Sequence, residues 1–170
     1  MPWGPFAIAL LVVYLIQTGV AALFGFVYFD AFLVLALLCG LLAPSADARL
    51  GAWLVGLAQD LDSADALGIH AFTLGLTALL LTWLREVLNL GLWWVRLLAL
   101  VLAGWAGQVI YLTYGQYWIG RGESGFGGLL VSAALTAALA AGLVMLICAL
   151  PGRRRSRRWR QGPGTRPLPG

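Results

Sequence analysis

The segment GAWLVGLAQDLDSADALGIHAFTLG, residues 51–75, carries the polar interruption on which the fold depends. An apolar run ends in Gln59 and Asp60, an acidic stretch follows, and a second apolar run begins after Gly68. Apolar runs separated by a cluster of polar and glycine residues are typical of two structural elements joined by a loop. The segment therefore predicts a helix, an acidic loop and a second helix.

The composition on both sides of this segment indicates a lipid environment. The chain has 170 residues, of which 61% are apolar and 11% charged, with a mean hydropathy of +0.89. Soluble domains are roughly 45–50% apolar and about 25% charged. A chain this small cannot hide so much apolar surface in one core. The composition predicts an integral membrane protein and excludes soluble enzymes and nucleic-acid-binding modules.

The chain contains six stretches without a charged residue. A helix needs about 20 mostly apolar residues to cross the hydrocarbon core. Five of the stretches are long enough alone or with their aromatic flanks, and the third is marginal. The fifth, bounded by tryptophans, is read as a helix over 93–118. The stretches are 1–29, 31–46, 50–59, 66–84, 97–120 and 124–152. We predict an all-α bundle of six transmembrane helices over residues 1–150. In the alternative, five helices cross and 50–59 re-enters the membrane.

Arginine distribution predicts the orientation. Seven of the eleven basic residues lie in 151–170, which contains no acid. Basic segments remain on the cytoplasmic side, so the C-terminus is cytoplasmic, and six spans place the N-terminus there too. Asp30 and the acids after residue 59 then lie in outer loops. The tail, rich in Pro and Gly, is predicted to be disordered and to contact anionic lipids rather than nucleic acid. Its candidate lipid contacts are Arg153, Arg154, Arg155, Arg157 and Arg158.

The acidic loop does not match a complete metal-binding or catalytic motif. Its D-x-D-x-x-D spacing resembles the start of a calcium loop but lacks that loop's later glycine and glutamate. Ser63, His70 and Asp60 crowd one short loop without the elbow of a serine hydrolase. We predict no catalytic residue, metal site or cofactor. Asp60 is expected to cap the helix that follows Gly68, with contact to a partner or ligand as the alternative.

Small and polar residues recur at helical spacing on the later helices. Gly128, Ser132, Thr136 and Ala140 follow one another every four residues and form a candidate helix-packing groove. We expect a partner's transmembrane helix to dock there. The alternative is that the groove packs inside the bundle. Gln108, Tyr111 and Tyr114 form a stripe that favours hydrogen bonds to a neighbouring helix.

The region from 30 to 89 resembles the bacterial rod shape-determining protein family MreD. That family has a short span of the form G-x-x-x-G-x-x-x-D-x-x-S, followed by L-G and another apolar helix. The corresponding residues here are AWLVGLAQDLDS, 52–63, and LGIHA, 67–71. The family's first glycine is displaced to Gly51 or replaced by Ala52, and Asp30 stands where a proline often opens the second span.

The resemblance implies a function and a set of partners. It implies a non-enzymatic scaffold of the rod complex in the bacterial inner membrane, which determines rod cell shape. MreC is the expected partner and the expected occupant of the groove, with MreB, RodA and its class B penicillin-binding protein. The implied fold is similar to S components of energy-coupling-factor transporters, so the alternative function is a small-molecule-binding membrane module of a vitamin-type transporter. The candidate partner or ligand contacts are Gly56, Asp60, Asp62, Gly68 and His70.

Overall fold

The computed structural model describes residues 3–24, 30–63, 67–88, 92–118 and 126–149. Within these ranges the chain forms helices and no strand, which confirms the predicted all-helical class with six helices. The helices are α1 (Trp3–Phe24), α2 (Ala31–Leu42), α3 (Ser45–Asp62), α4 (Ile69–Val87), α5 (Trp93–Trp118) and α6 (Phe126–Ala149). The segment 50–59 lies inside α3, a continuous helix of 18 residues.

The short helix α2 forms the centre of the bundle. Ala31 to Leu37, Cys39 and Gly40 are all buried, so α2 has no wide solvent-facing side. Its neighbours are α1, α3, α4 and α6, with a smaller contact to α5. At 12 residues it is only roughly 18 Å long. It is therefore shorter than the predicted stretch 31–46, so flanking residues would have to complete a crossing of a hydrocarbon core of about 30 Å.

Helices α3 and α4 form an antiparallel hairpin. Near one end Gly56 lies against the backbone of Ala71. Near the other end the Arg49 side chain donates from Nε to Thr82 Oγ1 at 3.2 Å, and the Ser45 hydroxyl donates to Glu86 at 3.2 Å. The predicted pair of helices around the acidic loop is thus closed along its whole length.

Arg85, in the last turn of α4, completes the hydrogen bonding at the C-terminus of α2. Its Nη1 donates to the carbonyl oxygens of Gly40, Leu41 and Ala43 at 3.2, 3.0 and 2.9 Å. The last carbonyls of a helix have no partner within the helix. The guanidinium supplies that partner and fixes the end of α2 against α4.

Small residues bring α5 and α6 together. Ala103 on α5 and Ala133, Ala137 and Ala141 on α6 are fully buried. Short side chains let two helix backbones approach closely, which is the usual source of helix contact in lipid. Two helical segments, Trp93–Tyr114 and Leu130–Ala149, are long and apolar enough to cross a membrane by length and composition.

Candidate functional site

Asp60 lies at the end of α3 and caps the start of α4. Its Oδ2 accepts hydrogen bonds from the N–H groups of Gly68 at 2.9 Å and Ala71 at 3.0 Å. Its Oδ1 accepts from the His70 N–H and from the His70 ring, both at 2.9 Å. These four bonds use the acceptor capacity of a carboxylate. The predicted cap is therefore confirmed, and we call Gly56, Asp60, Gly68 and His70 the α3–α4 corner.

The Asp60 contact defines the orientation of the His70 ring. An ionised carboxylate only accepts hydrogen bonds, so His70 Nδ1 carries the proton that it donates to Oδ1. The His70 ring is buried and packs against Tyr111, with ring centroids 4.6 Å apart. The imidazole thus joins the end of α3 to α5.

The two glycines of the corner are required for different reasons. A Cβ at Gly56 would lie 2.5 Å from Ala71 Cα and 2.6 Å from its backbone nitrogen. Such distances are too short for any side chain, so Gly56 permits the close approach of α3 and α4. Gly68 has φ = 101°, a left-handed conformation that other residues adopt only at a cost.

Asp62 and Ser63 lie beside the corner but outside its hydrogen bonds to α4. Asp62 is exposed and accepts a hydrogen bond from the Tyr14 hydroxyl at 2.9 Å, which connects α3 to α1. The Ser63 hydroxyl donates to the main-chain oxygen of Asp60 at 3.4 Å. The structure thus gives both side chains contacts within the helical framework.

A second feature is a cavity of about 230 Å³ inside the bundle. Every one of the six helices contributes to it, and most of its lining side chains are polar. We call it the polar cavity. Its polar lining residues are Gln17, Asp30, Gln59, His70, Thr73, Gln108, Tyr111, Ser132 and Thr136, and Leu33, Leu74, Gly107 and Leu112 complete it.

Asp30 lies in the connection between α1 and α2 and caps α2, where its Oδ1 accepts from the Leu33 N–H at 2.9 Å. Its Oδ2 accepts from Gln108 Nε2 at 3.2 Å, and the Gln59 side chain hydrogen-bonds the same carboxylate. The N-terminal end of α2 therefore lies beside the polar cavity.

Gln17 and Gln108 link other helices to this end of α2. Gln17 Oε1 accepts a hydrogen bond from the Ala31 N–H at 2.9 Å, and Gln108 reaches Asp30 from α5. The predicted interhelical bonding of Gln108 is thereby confirmed. Both side chains also line the polar cavity.

The groove predicted on α6 faces into the bundle for most of its length. Ser132 and Thr136 line the polar cavity, Ala140 is 3% exposed, and Gly128 is exposed near the helix start. This arrangement favours the alternative in which the small residues pack inside the bundle. The outward side of α6 instead carries large apolar side chains, namely Val131, Leu135, Leu139 and Leu146.

Several predicted features lie outside the described residues. They include Asp65 of the acidic loop and the whole basic tail with its five candidate lipid contacts, Arg153, Arg154, Arg155, Arg157 and Arg158. No family model matches this chain, and comparisons with curated proteins and with solved structures also find no match.

The sequence did not predict that the lining residues of the polar cavity come together. Gln59, Ser132 and Thr136 are far apart in the chain, and each sits in an apolar run that predicts only a helix. The available signal was the presence of isolated polar residues, since a polar side chain within a membrane helix usually faces the bundle interior. That signal gives the direction of each side chain but not its neighbours.

Proposed function

We propose that this chain is an integral membrane protein whose six-helix bundle crosses the bacterial inner membrane. The outward faces of α1, α4, α5 and α6 support this proposal. Their large apolar side chains are exposed, for example Ile8, Leu11, Leu15, Phe72, Leu79, Leu98, Leu102, Leu135 and Leu139. A soluble monomer rarely exposes a contiguous apolar patch of more than about 600 Å². Lipid is the environment in which such faces carry no cost.

The proposed orientation has both termini in the cytoplasm. Arg49 and Arg85 lie at one end of the α3–α4 hairpin, and Asp60 and Asp62 lie at the other. The positive-inside rule counts basic residues, so the end of the hairpin with the two arginines is assigned to the cytoplasm. Helix α3 has 18 residues and a length of roughly 27 Å, close to the thickness of the hydrocarbon core. It supports six crossings rather than a re-entrant third segment.

A reporter protein fused to the N-terminus tests this orientation. A reporter that is active only in the cytoplasm should give full signal, and one that is active only outside should give none. Signal from the outer side would exclude six crossings and favour five with a re-entrant segment.

Within that membrane frame, we propose that the chain is an MreD-like scaffold of the rod complex. The observation that carries this proposal is the α3–α4 corner. The glycine, aspartate and leucine-glycine positions of the MreD-like pattern coincide here with one structural unit: Gly56 allows the helices to touch, Gly68 makes the turn and Asp60 caps α4. The similarity therefore involves residues that together form one turn between two helices. A similar hydropathy profile alone would not require these residue types.

The proposed function is non-enzymatic and depends on protein contacts. MreC is the proposed direct partner, with MreB, RodA and its class B penicillin-binding protein in the same assembly. Because the small-residue side of α6 faces the bundle, the docking surface lies among the outward apolar faces. The exposed aromatic side chains Trp83, Trp93 and Trp94 mark the end of one such face.

Affinity purification of the tagged full-length chain from its own membranes tests the scaffold proposal. MreC should be recovered with the wild-type chain, and depletion of the chain should convert rods into rounded cells. Gly142→Ala is a suitable control variant, because a Cβ there meets nothing within 4 Å. Recovery of a folded chain without any rod-complex component would contradict the proposal.

A small-molecule-binding membrane module is the second candidate function, and the polar cavity favours it. Ligand sites are concave, with a few converging polar groups that orient the ligand. A fold similar to transporter S components has to recruit an energising ATPase. Paired ATPases recovered in the same purification, in place of MreC, would support this second function.

A further inference from the structure

Several hydrogen-bond donors around the polar cavity already bind groups of the protein. Of its hydroxyl groups, Thr73 donates to the His70 carbonyl oxygen at 3.2 Å and Thr136 donates to the Ser132 carbonyl oxygen at 3.0 Å. The His70 Nδ1–H donates to Asp60, away from the cavity. Gln108 directs its amide N–H to Asp30. These four donors are therefore committed to groups of the protein itself.

Gln59 supplies the acceptor that the helices leave unused. Its Oε1 is buried, and among the described residues it accepts no hydrogen bond. The hydrogen bond between its side chain and Asp30 fixes its orientation, because a carboxylate attracts the amide N–H₂ and repels the amide oxygen. A buried acceptor without a partner is costly, and such a group in a native protein needs an explanation.

The charge around the polar cavity favours a positively charged ligand. When ionised, Asp30 contributes one negative charge, and the N-terminus of α2 offsets about half of it. None of the described residues that line the cavity is Arg or Lys. The His70 ring in the lining is hydrogen-bonded to the Asp60 carboxylate. The cavity therefore favours a cation that donates hydrogen bonds.

The size of the cavity limits that cation to a small group. A volume of about 230 Å³ is below the roughly 300–1,000 Å³ that is common for sites of drug-sized ligands. A primary ammonium on a two- or three-carbon chain has three N–H donors and few other atoms. It would satisfy the Asp30 charge and the Gln59 acceptor together.

We propose that the polar cavity binds a primary ammonium group, with the Asp30 carboxylate as its counter-ion and Gln59 Oε1 as a hydrogen-bond acceptor. Two sources share this chemistry, a free small amine and the ethanolamine headgroup of a lipid. The inference uses the cavity alone and does not depend on membership of the rod complex. For the second candidate function it specifies the class of ligand.

Thermal unfolding of the purified full-length chain tests the proposal. The chain is placed in phosphatidylcholine nanodiscs in phosphate buffer, since Tris itself carries a primary ammonium. Ethanolamine, choline and sodium are added as chlorides at equal ionic strength. A ligand that binds only the folded state raises the midpoint of unfolding as its concentration increases. Ethanolamine should raise the midpoint, whereas choline, with equal charge but no N–H, and sodium should not.

Three variants locate the binding site. Asp30→Asn removes the charge but keeps a side-chain oxygen that can cap α2, and it should weaken ethanolamine binding by about tenfold or more. Gln59→Leu should weaken it by a smaller factor. Glu86→Gln removes a negative charge at the opposite end of the α3–α4 hairpin and should leave binding unchanged. If Asp30→Asn does not fold, Gln59→Leu and the comparison with choline still decide the outcome.

A second set of nanodiscs distinguishes the two sources. If the headgroup is the ligand, discs containing phosphatidylethanolamine should give the stabilised midpoint without added amine, and free ethanolamine should add nothing. If a free amine is the ligand, ethanolamine should act equally in both kinds of disc. An equal response to choline or sodium, no response to ethanolamine, or equal losses in Glu86→Gln and Asp30→Asn would each overturn the proposal.

Discussion

Asp60 and Asp30 cap helices in the same bundle but lie in contrasting surroundings. Asp60 receives four hydrogen bonds within the α3–α4 corner, where the backbones touch at Gly56. Asp30 caps α2 beside a cavity and shares its carboxylate with two glutamine side chains. Both carboxylates accept hydrogen bonds at a helix N-terminus, but Asp60 is buried and Asp30 is partly buried. The hydrogen bonds of Asp60 are all filled within the fold, whereas Asp30 lies beside a cavity with an unused acceptor, which is why we propose a binding site there.

Replacing Asp60 should have the largest effect on stability. Asp60→Ala leaves three backbone N–H groups and the His70 ring without their acceptor in a buried site. Loss of these buried hydrogen bonds should lower the free energy of unfolding by about 4 kcal/mol. Denaturant titration in detergent micelles measures the loss. Asp62→Ala is the control, since its exposed carboxylate makes one hydrogen bond with Tyr14, and it should cost less than about 1 kcal/mol. Equal losses in the two variants would refute the structural role of Asp60.

A methyl group at Gly56 should have the next largest effect. Gly56→Ala places a Cβ against the backbone of α4, which has no rotamer to change, so the helices must separate. We expect a loss of about 3 kcal/mol, at the upper end for overpacked sites. Gly142→Ala is the matched control in open space on α6, and it should be neutral or stabilising by up to about 1 kcal/mol. A neutral Gly56→Ala variant would show that α3 and α4 do not touch at this position.

The turn at Gly68 should give a smaller effect, because nothing lies within 4 Å of an added Cβ there. The cost of Gly68→Ala is conformational only, and a left-handed backbone costs a non-glycine residue about 1–2 kcal/mol. Gly68→Asn should recover part of that loss, since asparagine tolerates this region better. The same titration measures both variants. If Asn and Ala were equally destabilising, contacts at the turn rather than its backbone angle would have to explain the loss.

The sequence predicted the helices and the corner because both leave a local signal. The tryptophans at 93 and 118 mark the bounds that α5 has in the structure. Asp60 lies only eight residues from Gly68, whose N–H donates a hydrogen bond to it. The third helix begins at Ser45, five residues before the charge-free stretch. Arg49 bounds a charge-free stretch but not a helix, since arginine is a good helix former, and its side chain reaches Thr82 near the end of the hairpin.

The polar cavity could not be predicted in the same way because its residues meet only through tertiary packing. Gln108 and Asp30 are 78 positions apart in the chain, and the direction of their contact depends on how α5 crosses α2. Hydropathy shows where a charge-free stretch begins, but not that Asp30 caps α2 beside a cavity.

The most direct test of the contrast between the two aspartates is a paired measurement on Asp60→Asn and Asp30→Asn. The free energy of unfolding and the ethanolamine-induced shift of the unfolding midpoint are measured for both. We expect Asp60→Asn to lower the free energy of unfolding by about 2 kcal/mol or more, because its N–H₂ group would face backbone N–H donors of α4. It should keep the ethanolamine shift. Asp30→Asn should lose less stability than Asp60→Asn, because the amides of Gln59 and Gln108 can turn their oxygens toward the new side-chain N–H₂. It should also lose the ethanolamine shift. Two variants with the same stability loss and the same ethanolamine response would contradict the account.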